Sequence, residues 1–122
     1  MHELAVSQQI LIQVEQIAGE RNARSVSSIT LHIGPLSGVE AHLLEQAFPL
    51  AVAGSIAENA ELIIETLPVR VQCKSCGAET EARVNRLLCG ECGDYHTRLI
   101  SGDEMLLASL ELITKEEELA DV

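Results

Sequence analysis

The hydrophobic pattern of the first half of the chain changes from the period of a helix to that of a strand. From about Leu4 to Glu20, apolar side chains recur every three or four residues, which predicts an amphipathic helix. The stripe consists of Val6, Ile10, Val14 and Ile17, widened by Leu11 and Ala18. Residues 27–33 alternate instead, with Ile29, Leu31 and Ile33 on one face. This alternation predicts a half-buried strand.

The second half contains one weaker helix pattern and two apolar runs. A helix is predicted from roughly Glu40 to Gly54, although Pro49 removes a hydrogen bond from its second half. Residues 61–72 predict a second strand that runs through a proline. Residues 104–113 predict a third strand. Because apolar residues nearly fill both of its faces, this third strand is expected at the centre of the sheet.

The order of these elements predicts an α+β fold. We expect two helices packed on a small three-stranded mixed sheet, with an inserted zinc-ribbon-like module built on four cysteines. The predicted domains are a discontinuous α+β domain, residues 1–68 and 103–122, and a metal-binding module, residues 69–102.

Composition and charge narrow the class of protein. The 122 residues are 47% apolar and carry a formal net charge of −11, with eight basic against nineteen acidic residues. So acidic a chain has little with which to neutralise phosphates, which argues against nucleic-acid binding. No window approaches the roughly 18 consecutive apolar residues of a membrane span. The amino terminus lacks the pattern of a secretory signal, so a cytoplasmic protein is expected.

All four cysteines fall into two Cys-x-x-Cys pairs, Cys73 with Cys76 and Cys89 with Cys92. Twelve residues separate the pairs, enough for a hairpin that brings four thiolates together. Such a set suits a closed, structural Zn²⁺ site without an open coordination position. Iron in a rubredoxin-like site is the main chemical rival, since tetrahedral sulfur suits both metals. Disulfide pairing is the third alternative, disfavoured in the cytoplasm.

A histidine at position 2 offers a second metal site. The α-amine of Met1, the backbone amide nitrogen of His2 and its imidazole can close two fused chelate rings around one ion. Square-planar nitrogen ligands of this kind suit Ni²⁺ or Cu²⁺, and Glu3 could add a carboxylate. On these residues alone the signal is weak, and an arbitrary histidine in a flexible terminus is the favoured explanation.

No catalytic motif is present. The sequence contains neither a glycine-rich phosphate loop nor a Gly-x-Ser-x-Gly motif, and the paired cysteines leave none for a Cys–His catalytic pair. We therefore expect that the protein is not an enzyme.

Four motifs follow one another along the chain: Met1-His2-Glu3, the loop Gly34-Pro35-Leu36-Ser37-Gly38-Val39-Glu40, the two cysteine pairs, and Gly102-Asp103-Glu104-Met105 before Ser109-Leu110-Glu111. Together they resemble the HypA/HybF family of nickel-incorporation proteins for [NiFe]-hydrogenase maturation. The likeness covers nearly the whole chain in order and length.

The resemblance implies a nickel metallochaperone. It would bind Ni²⁺ through Met1 and His2, with Glu3 as a further candidate, and His96 is the candidate for an extra ligand from the zinc module. With a HypB-type GTPase it would deliver the ion to the hydrogenase large-subunit precursor, and some family members also serve urease maturation through urease accessory proteins. The same resemblance implies that the four cysteines bind zinc, at a site whose role is either structural or regulatory. Monomer and homodimer both stay open.

Overall fold

The computed structural model describes residues 2–114. Met1 and residues 115–122, which belong to the predicted α+β domain, lie outside the described residues. Within residues 2–114, the structure contains two helices and six strands. They are α1 (His2–Glu20), β1 (Ala23–Ile33), α2 (Ala41–Val52), β2 (Glu61–Thr66), β3 (Arg70–Cys73), β4 (Glu79–Glu81), β5 (Thr97–Ser101) and β6 (Met105–Thr114). The α+β class and the four-cysteine module are as predicted.

The described residues form two compact units. The first contains the chain up to Leu31, Glu40–Ile64 and the part from Leu107 onward, and the second contains His32–Val39 and Glu65–Leu106. These units rest on contacts within the folded chain and do not test the predicted domain boundaries, which stay a prediction. No helix within residues 2–114 is both long and apolar enough to cross a membrane.

Helix α1 buries one narrow row of side chains in the first unit. Ile10, Val14 and Ala18 are almost completely buried, as the periodicity predicts. The row continues toward the N-terminus with two polar residues, Glu3 and Ser7. The Ser7 hydroxyl donates a hydrogen bond to the carbonyl oxygen of Glu3 at 2.8 Å, which satisfies this buried group.

Helix α2 continues through its proline and ends three residues later. Pro49 lies inside the helix, and Val52 is its last residue. The turn that follows contains Gly54 at φ 78°, a left-handed conformation that glycine adopts without a steric penalty, so the predicted end is confirmed. Leu44, Phe48 and Val52 form the buried face, whereas Leu43 is 40% exposed.

The first sheet has the strand order β2-β1-β6, so β1 is its central strand. The predicted central position of the last strand is therefore wrong. In β6 no residue is buried and Leu106 is 52% exposed, whereas Ile29 and Leu31 of β1 are fully buried. A continuous apolar run fits either a central strand or a partly covered edge strand, and only the strand order separates the two.

The predicted strand over residues 61–72 is also wrong in one respect, because the run forms two strands. β2 ends at Thr66, β3 begins at Arg70, and the two belong to different sheets. Pro68 between them has no N–H for a sheet ladder, and the preceding residue, Leu67, donates its N–H to the carbonyl of Ile33 at 3.2 Å.

The second sheet lies in the second unit and has the order β4-β3-β5. β3 pairs antiparallel with both neighbours: Val71 lies opposite Thr80 of β4 and opposite Leu99 of β5. The two outer strands are absent from the sequence-based prediction, which expected only a hairpin between the cysteine pairs. Their few residues carry weak hydrophobic alternation, since most are polar and none is buried.

Candidate metal centre

The two cysteine pairs fold into two turns of the same geometry. In the first, the N–H of Gly77 donates to the carbonyl of Cys73 at 3.0 Å, and in the second, Gly93 donates to Cys89 at 3.0 Å. Both glycines have left-handed backbones, with φ of 78° and 77°. Because a side chain rarely tolerates this conformation, the glycine after each pair is what permits so tight a turn.

The second sheet positions both turns. β3 ends at Cys73, whose N–H donates to the carbonyl of Ala78 at 2.9 Å. The second turn is tied to β4, since the N–H of Gly90 donates to the hydroxyl of Thr80 at 2.8 Å. A Cβ on Gly90 would lie 3.1 Å from the Thr80 side chain, so this approach is close.

The four sulfur atoms converge on one point. All four Sγ atoms lie within 4.8 Å of one another, and the pairs Cys73–Cys92 and Cys76–Cys89 are 3.6 Å apart. A tetrahedral ion with metal–sulfur bonds of about 2.3 Å requires sulfur separations of about 3.8 Å. A disulfide requires about 2.05 Å, and all four cysteines are free thiols. The donor set therefore fits a tetrahedral metal ion.

The turns also divide the thiols into two kinds. In each pair the thiol of the first cysteine accepts hydrogen bonds from backbone N–H groups. The bond from the N–H of Cys92 is the main cause that lowers the pKa of Cys89 to about 6. The bond from the N–H of Cys76 lowers the pKa of Cys73 in the same way. The thiol of the second cysteine in each pair accepts one backbone N–H, which lowers its pKa. Hydrogen bonds with neighbouring thiols and burial raise the pKa by more than this bond lowers it. They raise the pKa of Cys92 to about 12 and that of Cys76 above its usual value.

A carboxylate that the sequence did not single out connects the two turns. Asp94 accepts hydrogen bonds from the Ser75 hydroxyl and from the backbone N–H of His96 at 3.0 Å. The Ser75 hydroxyl and the His96 groups hold the pKa of Asp94 well below its usual range. Its position, two residues after the last cysteine, is the only sequence signal for this role.

The same carboxylate orients His96. Nδ1 of His96 lies 2.8 Å from Oδ1 of Asp94, and the imidazole side chain is 57% exposed. Tyr95 packs against the ring with centroids 4.1 Å apart. With Nδ1 committed to the carboxylate, Nε2 is the nitrogen left for a ligand.

The N-terminal candidates lie at the start of α1. Met1 is outside the described residues, His2 is exposed, and Glu3 is buried. Oε2 of Glu3 accepts the backbone N–H of Glu40 at 3.4 Å, at the N-terminal end of α2. Glu40 is the N-cap residue of α2, and its side chain makes no capping hydrogen bond. The carboxylate of Glu3 instead accepts a backbone N–H at this helix end. Within residues 2–114, the four cysteines are the only group of three or more His, Cys, Asp or Glu side chains positioned to hold a metal.

Comparisons with known proteins give the family. Residues 1–112 match the family model described as HypA: hydrogenase/urease nickel incorporation, metallochaperone. The hydrogenase maturation factor HypA of Nitrosospira multiformis is 48% identical over 114 residues, 93% of this chain and 99% of that protein. The HypA of Aquifex aeolicus is 46% identical over 112 residues, 92% of this chain and 97% of that protein.

Solved structures share the fold. The solution structure of the nickel metallochaperone HypA from Helicobacter pylori has a TM-score of 0.69 at 24% identity, covering 93% of this chain and 98% of its own. A second HypA solution structure has a TM-score of 0.72 at 26% identity, with coverage of 94% and 98%.

These matches confirm the resemblance found in the sequence motifs. The family model describes metallochaperones and not enzymes, in agreement with the sequence-based expectation. The chain belongs to the HypA family of hydrogenase/urease nickel-incorporation metallochaperones.

Proposed function

We propose that this chain binds Ni²⁺ at its N-terminus and delivers it during [NiFe]-hydrogenase maturation. Membership of a nickel-incorporation family supports the metal and the process. The ligands would be the amine of Met1 together with the backbone amide nitrogen and imidazole of His2. Delivery would go, with a HypB-type GTPase, to the hydrogenase large-subunit precursor in the cytoplasm, and urease accessory proteins are the alternative recipients.

The observation that carries the nickel site is the start of α1 at His2. The first N–H groups of a helix have no intrahelical acceptor, so the His2 amide gives up no helix hydrogen bond when a metal displaces its proton. The imidazole of His2 is on an exposed residue and free to turn toward the same ion. A site built on a chain end has few ligands and can open onto a partner, as delivery requires.

The four cysteines would hold a structural Zn²⁺. Their donor set is sulfur only and leaves no open position, which suits a closed site. Iron fits the same tetrahedral thiolate set. The purified protein separates the two, because a zinc site is colourless and a rubredoxin-like iron site is red and redox-active.

His96 is the proposed contribution of the metal module to nickel. The hydrogen bond to Asp94 fixes the ring and leaves Nε2 available, as in many carboxylate–histidine–metal arrangements. This assignment is separable from the N-terminal site, since His96→Gln removes the extra ligand without touching the first two residues.

The deciding experiment is a nickel titration of zinc-loaded, untagged protein. Wild type should bind about one Ni²⁺ per chain, and His2→Ala should lose this binding while its zinc content stays unchanged. His42→Ala is the matched control, because His42 is also an exposed histidine on a helix and, among the described residues, its side chain bonds only to Gln46. Full nickel affinity in His2→Ala would contradict the proposal.

A further inference from the structure

The turn between β4 and the second cysteine pair carries two arginines on one face. The N–H of Arg86 donates to the carbonyl of Arg83 at 3.0 Å, and the two residues form an isolated antiparallel bridge. Directly opposed residues of such a bridge project to the same side, with Cβ atoms about 5 Å apart. Two like charges in this position repel each other, which is unfavourable unless an anion lies between them.

Neither guanidinium has a partner within residues 2–114. Two other arginines of this unit are engaged: Arg70 donates to the carbonyl of Glu79 at 3.3 Å and Arg98 to the side-chain oxygen of Gln72 at 2.5 Å. For Arg83 and Arg86 the described residues offer no side-chain hydrogen bond or ion pair. Both are exposed, and both line a shallow depression beside the buried Cys89.

The surroundings of the pair contain one acidic residue and several apolar ones. Glu81 lines the same depression but forms no ion pair with either arginine. Val84, at the tip of the turn, is 49% exposed, and Leu87 is 37% exposed. Turn tips are usually glycine, proline or small polar residues, so an apolar side chain at this position is unusual.

Charge distribution sets this turn apart from the rest of an acidic protein. Residues 70–101 contain five Lys or Arg and four Asp or Glu, which gives this segment a net charge of +1. The rest of the chain carries −12, and the two parts sum to −11. Four thiolates with a divalent ion add −2 and bring the segment to −1, still far less negative than the rest. An acidic partner is therefore repelled by most of the chain and attracted locally by the unpaired arginines.

We propose that Arg83 and Arg86, with Val84 and Leu87, form a docking surface for an acidic segment of a partner protein. The occupant is a peptide or loop whose carboxylates pair with the guanidinium groups while one or two apolar side chains cover the turn tip. Arginine suits this role because its planar fork binds a carboxylate through two parallel hydrogen bonds. The inference is independent of the nickel site, which uses none of these residues.

The test is a titration of full-length, zinc-loaded, ¹⁵N-labelled protein with an acetylated peptide Glu-Leu-Glu-Glu-Leu-Glu. Backbone signals of residues 81–90 should shift, and the affinity should fall as salt rises. Arg83→Gln with Arg86→Gln should weaken binding about tenfold, equivalent to about 1.4 kcal/mol. Unchanged zinc content and thermal unfolding would establish that this double variant is folded.

The matched control is the double variant Arg21→Gln with Arg24→Gln, which also changes the net charge from −11 to −13. It should bind the peptide as wild type does. Equal weakening in both variants, absence of peptide binding, or equal binding of the Gln-for-Glu peptide would overturn the proposal. So would preferential binding of a DNA duplex, or a change of oligomeric state in the Arg83/Arg86 variant alone, which would assign the surface to a second copy.

Discussion

Gly34 and Gly102 are in direct backbone contact. A Cβ added to Gly34 would lie 2.1 Å from the carbonyl oxygen of Gly102, a separation that no real Cβ contact shows. Around this point the N–H of Gly34 donates to the carbonyl of Glu104 at 2.8 Å, and Leu36 donates to Gly102 at 2.6 Å. Two of the sequence motifs that define the family resemblance are thus parts of one packed junction.

The first prediction concerns this junction. Gly34→Ala should lower the free energy of unfolding by more than about 3 kcal/mol, because the methyl group overlaps backbone that cannot move aside cheaply. Gly19→Ala is the control: Gly19 is helical, nothing lies within 4 Å of its added Cβ, and the change should stabilise by about 0.5–1 kcal/mol. Urea unfolding measures both variants, and similar stabilities for the two would contradict the close contact.

The second prediction separates the structural role of Glu3 from a role in nickel binding. Its carboxylate accepts the N–H of Glu40, so Glu3→Ala should destabilise the protein by about 1 kcal/mol through loss of this cap. Glu3→Gln keeps an acceptor oxygen and should retain most of the stability and of the nickel affinity. Thermal unfolding and nickel titration check the two effects. A Glu3→Gln variant that is stable but has lost nickel binding would instead identify the carboxylate as a ligand.

The third prediction concerns the independence of the two metals. Cys76→Ser should abolish retention of zinc after dialysis against a chelator, because a serine hydroxyl does not replace a thiolate. Nickel bound at the N-terminus should persist, since no thiolate belongs to its proposed ligand set. Ser75→Ala is the matched control: it removes the hydrogen bond to Asp94 but no ligand, and should keep its zinc. Metal analysis by mass spectrometry reads out both, and joint loss of nickel and zinc in Cys76→Ser would argue against separate sites.

The fourth prediction follows from the unequal thiols. The lowered pKa of Cys89, about 6, means that this thiol is mostly ionised at pH 7 in the folded metal-free protein, whereas Cys92, with its pKa raised to about 12, is protonated. Zinc should therefore displace fewer than four protons at pH 7. As pH falls through 6, Cys89 takes up its proton, so the number released should rise toward four and zinc affinity should fall more steeply.

Calorimetry of zinc binding in two buffers of different ionisation enthalpy counts these protons at each pH. Release of four protons at both pH 7 and pH 5 would show that Cys89 is not ionised before the metal binds. In the metal-free protein, the ultraviolet absorbance of thiolate should fall as pH drops through 6, and loss of this step in Cys89→Ser would assign the titration to this residue.

Hydrophobic periodicity correctly predicted the elements in which one face is buried along the whole length of the element. Helix α1 buries Ile10, Val14 and Ala18 as its periodicity indicates, and β1 buries Ile29 and Leu31. The four-cysteine cluster was equally predictable, because two short pairs with a hairpin-length spacer have few ways to share one ion.

The sequence-based predictions were wrong where one hydrophobic pattern is compatible with two different environments. The apolar run of residues 104–113 suits a central strand or an edge strand, and the chain uses it as an edge. The pattern of residues 61–72 predicts one strand, but the chain forms two strands on either side of Pro68, and these belong to different sheets. Strand order and sheet membership are decided by partners distant in sequence, which hydrophobic period does not encode.

The sequence by itself determined the family, the metal-binding thiols and the two helices, because each rests on residue types at short, fixed spacings. Only the tertiary structure decided that Gly34 touches Gly102, that Glu3 caps the helix beginning after Glu40, and that Asp94 links the two cysteine turns. Each of these contacts joins groups from separate turns, loops or elements. Their geometry exists only once the chain has packed, since no local propensity specifies which backbone group will lie opposite a given side chain.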